Sequence, residues 1–172
     1  RLRQLFGRYA TYCGASPWAA PATLLLVAQV EMDGVWTVAG GMQKMDLANE
    51  GAANAIRFLG PQDLLAVYAV DSEAHEMVPL QQVGPNRDKM ESAVRRIEST
   101  GGGIYVYNGL KAAWDQLKNA PAGQRHIILF SDAADSEQPD KYKELIAEIT
   151  ANGGTISGVD TATLTISSVT GA

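Results

Sequence analysis

The stretch Leu24-Leu25-Leu26-Val27-Ala28-Gln29-Val30, followed by Glu31-Met32-Asp33-Gly34-Val35, decides the fold. An apolar run of this length, closed by a turn signal, reads as a buried strand. Two carboxylates and a glycine at its end make more than a turn. In open α/β sheets, ligands sit where strands end at their carboxyl edge. Glu31 and Asp33 therefore mark a candidate site.

Working outward, strand and helix alternate. Lys44–Leu59 reads as a helix, with Leu47, Ala48, Gly51, Ala52, Ala55, Ile56 and Leu59 on one face. Gly60-Pro61 stops it. Leu64–Val70 is a second apolar strand. His75–Val83 is a strand of mixed polarity, placed at an edge because Pro79 cannot donate to a central ladder. The spacing of Met90, Ala93, Val94 and Ile97 predicts a helix over Arg87–Glu98. A further helix over Val106–Leu117 points Tyr107, Leu110, Trp114 and Leu117 inward. His126–Phe130 is a strand, Pro139 opens a helix to Ala151, and Thr155–Val159 is another strand. Strands joined by crossover helices imply a three-layer α/β sandwich, a mostly parallel sheet with helices on both faces. Residues 24–160 form this domain. Residues 1–23 are a basic amphipathic extension carrying Leu2, Leu5, Phe6, Tyr9 and Cys13, and residues 161–172 are a tail or an added strand.

The bulk numbers limit the function. A chain of 172 residues with 46% hydrophobic and 19% charged residues suits one domain with a full core. The net charge of −5 argues against nucleic acid as a partner. Cys13 is the sole cysteine, so no internal disulfide forms. No apolar run approaches the roughly 20 residues that span a bilayer. The chain starts at Arg1 and is read as a fragment or processed product.

Several segments carry a resemblance. They are Met45–Ala53, Phe58–Leu64, Tyr68–His75, Val78-Pro79-Leu80, Ile97–Tyr105 and His126–Asp132. In this order and spacing the chain resembles a bacterial von Willebrand factor type A domain. The resemblance implies a parallel sheet with one antiparallel edge strand, and adhesion or assembly rather than catalysis. It also implies an extracytoplasmic or membrane-tethered setting in a bacterium. The family's hallmark is a metal-ion-dependent adhesion site. It combines Asp-x-Ser-Gly-Ser after the first strand, a later threonine, and an aspartate after the fourth strand.

Mapped onto this chain, Glu31, Asp33 and Asp132 are the metal-site residues. Glu31 stands for the Asp and Asp33 for the first Ser; Gly34 and Asp132 match. Val35 replaces the second Ser, and Ile104 stands where the Thr is expected. Hydroxyl ligands leave a divalent ion spare positive charge for the partner's acid, whereas three carboxylates over-neutralise it. Magnesium also demands near-ideal octahedral geometry, while calcium tolerates irregular carboxylate cages. The expectation is a degenerate site and metal-independent protein binding. The contacts fall to Val35, Trp36, Thr37, Ile104, Tyr105 and Asp135. Trp36 has two readings: an interface anchor, or a ring folded back over the site.

Other readings come from the same residues. Glu31-Met32-Asp33-Gly34 resembles the Asp-x-Asp-Gly motif of haloacid dehalogenase-type phosphatases, with Asp132 and Asp135 on Mg²⁺ and Lys111 on the phosphate. Glu31 in place of the nucleophilic aspartate misplaces the attacking oxygen. Gly101–Gly103 lacks the Lys-Ser/Thr of a P-loop and reads as a hinge. His75 and His126 read as structural or surface residues. A third reading is a structural subunit of a homomeric assembly joined through the termini.

Overall fold

The computed structural model describes residues 22–29, 44–98, 103, 105–131, 135 and 137–159. Its elements run β1 (Ala22–Gln29), α1 (Lys44–Phe58), β2 (Leu64–Val70) and β3 (Ala74–Gln82). A 3-10 turn (Gly84–Asn86) follows, then α2 (Arg87–Val94), α3 (Val106–Leu117), β4 (Gln124–Phe130), α4 (Lys141–Ala151) and β5 (Gly154–Val159). The strand order is β3-β2-β1-β4-β5. β1 lies in the middle, parallel to β2 on one side and β4 on the other. β5 extends the parallel sheet beyond β4, and β3 closes the opposite edge antiparallel to β2. The mostly parallel sheet with one antiparallel edge strand is therefore present.

This order marks a candidate site before any side chain is considered. From β1 the chain crosses through α1 to β2 on one side, and β4 returns on the other. The order reverses between β1 and β4, and the crevice of a doubly wound sheet opens at the carboxyl ends of such strands.

The two sheet faces bury separate cores. Leu65 and Val67 of β2 and Ile128 and Phe130 of β4 pack with Ala52, Ile56, Met90 and Val94 under α1 and α2. The alternate residues Ala66, Tyr68, Val70, Ile127 and Leu129 meet Leu110, Trp114, Leu117, Leu145 and Ile149 of α3 and α4. This is the period-two alternation of a strand buried on both faces.

Helix α2 ends earlier than the spacing predicts. The expectation was Arg87–Glu98, but the helix stops at Val94. Arg96 and Ile97 donate backbone bonds to Ala93 and Val94, three residues back, at 3.1 and 3.2 Å. That tightening turns Ile97 into the core, where its carbonyl accepts from Asn49 Nδ2 at 2.7 Å. The apolar stripe is real, but its last member is delivered by a turn. Arg87 links the two helices: its guanidinium donates to the carbonyls of Ile56 and Leu59, at 2.7 Å for Leu59. Both lie at the carbonyl end of α1, where Ile56 also accepts the Leu59 N–H at 3.3 Å.

Strand β3 is an edge strand as expected. Its pairing with β2 shifts register around Val67, and Pro79 lies within it. Bulges and proline both blunt a sheet edge against further pairing.

Candidate functional site at the carboxyl edge of the sheet

Four described pieces meet at this edge. They are the end of β4 with Ser131, Asp135 with the approach to α4, the start of α3, and the turn Asp71–Glu73 after β2. Helix α3 begins at Val106 without a side-chain cap of its own, because Tyr105 holds the capping position. Its orphan N–H groups need outside acceptors. Asp135 supplies one. Its Oδ2 accepts the Tyr107 N–H at 2.9 Å, and its Oδ1 accepts those of Glu137 at 3.0 Å and Gln138 at 2.6 Å. The residue is 3% exposed. A carboxylate can be buried there because three backbone donors replace its water and the helix terminus favours negative charge.

A second link joins α3 to the turn after β2, where Asn108 Nδ2 donates to the Ser72 carbonyl at 2.7 Å. Within that turn Asp71 holds the His75 Nε2 at 3.0 Å and accepts the Glu73 N–H at 2.8 Å. On the rim, Lys141 Nζ stands 5.7 Å from the Tyr107 ring centroid, within cation–π range.

Of the residues singled out from the sequence, Tyr105 and Asp135 are described. Tyr105 is half-buried, packed against the core under α3 and α4. Asp135 points inward, so its part in any contact is to hold the rim. Glu31, Asp33, Val35, Trp36, Thr37, Ile104 and Asp132 lie outside the described residues. The sequence reading missed the Tyr107 amide and Asn108. The Asp135-Ser136-Glu137 stretch carried a signal for the local turn, since aspartate bonds the backbone two residues on. Nothing local to it announces the bond to α3.

Lys111 was the phosphate clamp of the phosphatase reading. Instead it pairs with Asp115 one turn along α3, where Lys118 also binds at 2.5 Å. Hydrogen bonds from Lys111, then Lys118, hold the Asp115 carboxyl below its ordinary range, and Asp115 raises Lys111 in return. His126 lies in the sheet, away from the rim, between Thr155 Oγ1 at 2.6 Å and Ser157 Oγ at 3.0 Å. Burial pushes its imidazole down to about 4.

Positions 35 and 104 carry Val and Ile where the resemblance leads one to expect hydroxyls, and both oxygens of Asp135 are taken by backbone amides. Among the described residues, no three of His, Cys, Asp and Glu stand together to hold a metal ion. No described helix is long and apolar enough to cross a membrane.

Comparisons with known proteins agree with this fold. The chain is similar to a von Willebrand factor type A protein from Catenulispora acidiphila, with a TM-score of 0.70 and 23% identity over 82% of this chain and 33% of that one. It is similar to BatB from Bacteroides thetaiotaomicron, with a TM-score of 0.66 and 13% identity over 80% of this chain and 65% of that one. It also resembles the pilus adhesin SpaC from Lactobacillus rhamnosus GG, with a TM-score of 0.56 and 17% identity over 70% of this chain and 16% of the adhesin. Among curated proteins, 55 residues are 67% identical to a hydroxyneurosporene desaturase of Rubrivivax gelatinosus, 32% of this chain and 10% of the desaturase. The chain thus spans about a tenth of the desaturases it matches. The family model described as "von Willebrand factor type A domain" matches residues 33–134, more than half of the sequence. The chain belongs to the von Willebrand factor type A domain family.

Proposed function

We propose that this domain is a non-catalytic protein-interaction module of the adhesion or assembly kind, whose recognition surface is the carboxyl edge of the sheet. The observation that carries the reading is the construction of that edge. A buried carboxylate braces the backbone, while Tyr105, Tyr107 and Lys141 stand around it as contact groups. Aromatic side chains with a neighbouring cation suit a protein interface. Val35, Trp36, Thr37 and Ile104 would extend the surface. Binding does not depend on a metal, because two of the hydroxyl ligands are apolar residues here. The structures this chain is similar to include the pilus adhesin SpaC and the type V pili tip protein Mfa5 from Porphyromonas gingivalis, which supports the class of role. The desaturase likeness adds no activity, since it covers a tenth of those enzymes.

The phosphatase reading is weaker, with Lys111 committed to Asp115. Self-association has one specific observation behind it. Leu47 and Phe58 are 41% and 52% exposed, eleven positions apart on one stripe of α1.

The test places a photo-cross-linking residue at Tyr105 and, in a second protein, at Pro121 on the opposite edge of the sheet. In the source bacterium, a discrete adduct should form from position 105 alone and survive chelation by EDTA. Adducts from both positions, or loss of the adduct with EDTA, would overturn the reading. Calorimetry with Mg²⁺ and Ca²⁺ should show no tight binding. Turnover of a generic phosphate ester that is lost in Glu31→Gln would instead establish an enzyme.

A further inference from the structure

The chain contains two Asn-Gly pairs, Asn108-Gly109 and Asn152-Gly153. This dipeptide carries its own chemistry. With no side chain on the second residue, the glycine nitrogen can reach the asparagine Cγ and close a ring. The fold treats the two pairs in opposite ways. We propose that Asn152, at the end of α4, is a site of spontaneous covalent modification, deamidating to aspartate and isoaspartate, while Asn108 is protected.

The step needs no reactant but water. The Gly153 amide nitrogen loses its proton and bonds to Asn152 Cγ, and Nδ2 leaves as ammonia. The product is a succinimide, which water then opens. If the new bond to Cγ breaks, aspartate results. If instead the nitrogen parts from the main-chain carbonyl carbon of residue 152, the chain runs on through Cγ and the residue is isoaspartate.

What separates the pairs is the opening that each requires. Thr150, Ala151, Asn152 and Gly153 are all exposed. Asn152 Nδ2 donates to the Glu148 carbonyl at 2.8 Å, and the Gly153 N–H donates to that of Thr150 at 3.1 Å. Both bonds lie within the last turn of α4, so fraying of that turn releases both reacting groups. Helix termini open at little cost. Gly153 has a φ of 76°, and a Cβ built on it would meet nothing within 4 Å, so the attacking nitrogen is uncrowded. Asn108 is held differently. Its Nδ2 donates to the Ser72 carbonyl, 36 positions away, at 2.7 Å. Gly109 is buried, and its N–H donates to the Tyr105 carbonyl at 3.4 Å. Reaction there requires α3 to unwind its first turn and part from the turn after β2.

The product changes the junction of α4 and β5. It places a carboxylate at the end of a helix whose free carbonyls are already negative. Isoaspartate also adds a methylene to the main chain two residues before Gly154, where there is no slack. A Cβ built on Gly154 would lie 2.5 Å from Ile149 Cγ2 and 2.8 Å from Trp114 Cζ3, and Gly154 is in register with Arg125 of β4. Modification therefore loosens the start of β5.

The test incubates the folded protein at mildly alkaline pH and follows each asparagine by peptide mass. Asn152 should convert at least about tenfold faster than Asn108. In urea, where both pairs are open, the two rates should agree within about threefold. Isoaspartate at position 152 is read by methylation of its free carboxylate with an isoaspartyl methyltransferase. Equal rates in the folded protein, or a rate at Asn152 more than about a hundredfold below that in urea, would overturn the proposal. Asn152→Gln lengthens the ring and should keep its urea midpoint through the same incubation, while that of the unmodified protein falls. An equal fall in both would refute the loosening.

Discussion

At the scale of single residues, His126 shows how placement in the sheet overrides a familiar side chain. Two hydroxyls from β5 engage its ring, and burial lowers its proton affinity to about 4. The unfolded chain binds that proton near the ordinary value of about 6.5. Between these values the unfolded state carries more protons, so stability rises with pH in this window. It is complete above about 6.5 and falls toward 4, by up to roughly 3 kcal/mol. Urea midpoints measured from pH 4 to 7 should show this slope. His126→Gln, which keeps an amide able to bond the hydroxyls, should flatten it. An unchanged slope in the variant would assign the effect elsewhere. The sequence read His126 as structural or surface and gave no means of naming Thr155 and Ser157, which lie 29 and 31 positions away. Strand register, not local order, sets those partners.

At the scale of elements, the informative feature is how helix ends are closed. Neither α2, α3 nor α4 carries a side-chain cap from its own N-cap residue. Other elements supply what is missing. Arg87, the first residue of α2, closes the carbonyl end of α1, as Asp135 closes the amide end of α3. Arg87→Met keeps the aliphatic stem and removes the donors. It should destabilise the fold by about 1–3 kcal/mol, read from denaturant midpoints with an unchanged m-value. A loss within error would show that water takes over at the Ile56 and Leu59 carbonyls. The boundaries of α1, β2, α3 and α4 were close to legible from apolar spacing, glycine and proline. The end of α2 was not, because periodicity cannot tell a third helical turn from a tight turn that buries the same Ile97.

At the scale of the molecule, the sheet ends at β3 in a protected edge. The β3 edge is blunted by Pro79 and by its register shifts. Pro79→Val restores an edge N–H and should raise self-association, seen as faster sedimentation with increasing concentration. No change would mean that the register shifts protect the edge without the proline. The same measurement on Phe58→Ser asks about α1. If the unmodified protein sediments as a monomer at all concentrations, the assembly reading loses its support. The rim is also a property of the whole molecule. It draws on α3, the turn after β2 and the approach to α4, joined through Asp135 and Asn108.

The sequence by itself determined the class of fold, the antiparallel edge strand and the two apolar faces. Each follows from periodicity and chain punctuation, which act over a few residues. Residue type alone also puts Val35 and Ile104 where the family resemblance leads one to expect hydroxyls. The tertiary structure alone decided which groups meet. It turned Asp135 from a candidate contact on the surface into a buried brace, and Lys111 from a phosphate clamp into the partner of Asp115. The reason is physical: a polar group's role is set by the donors and acceptors that burial forces upon it, and those arrive from elements far along the chain.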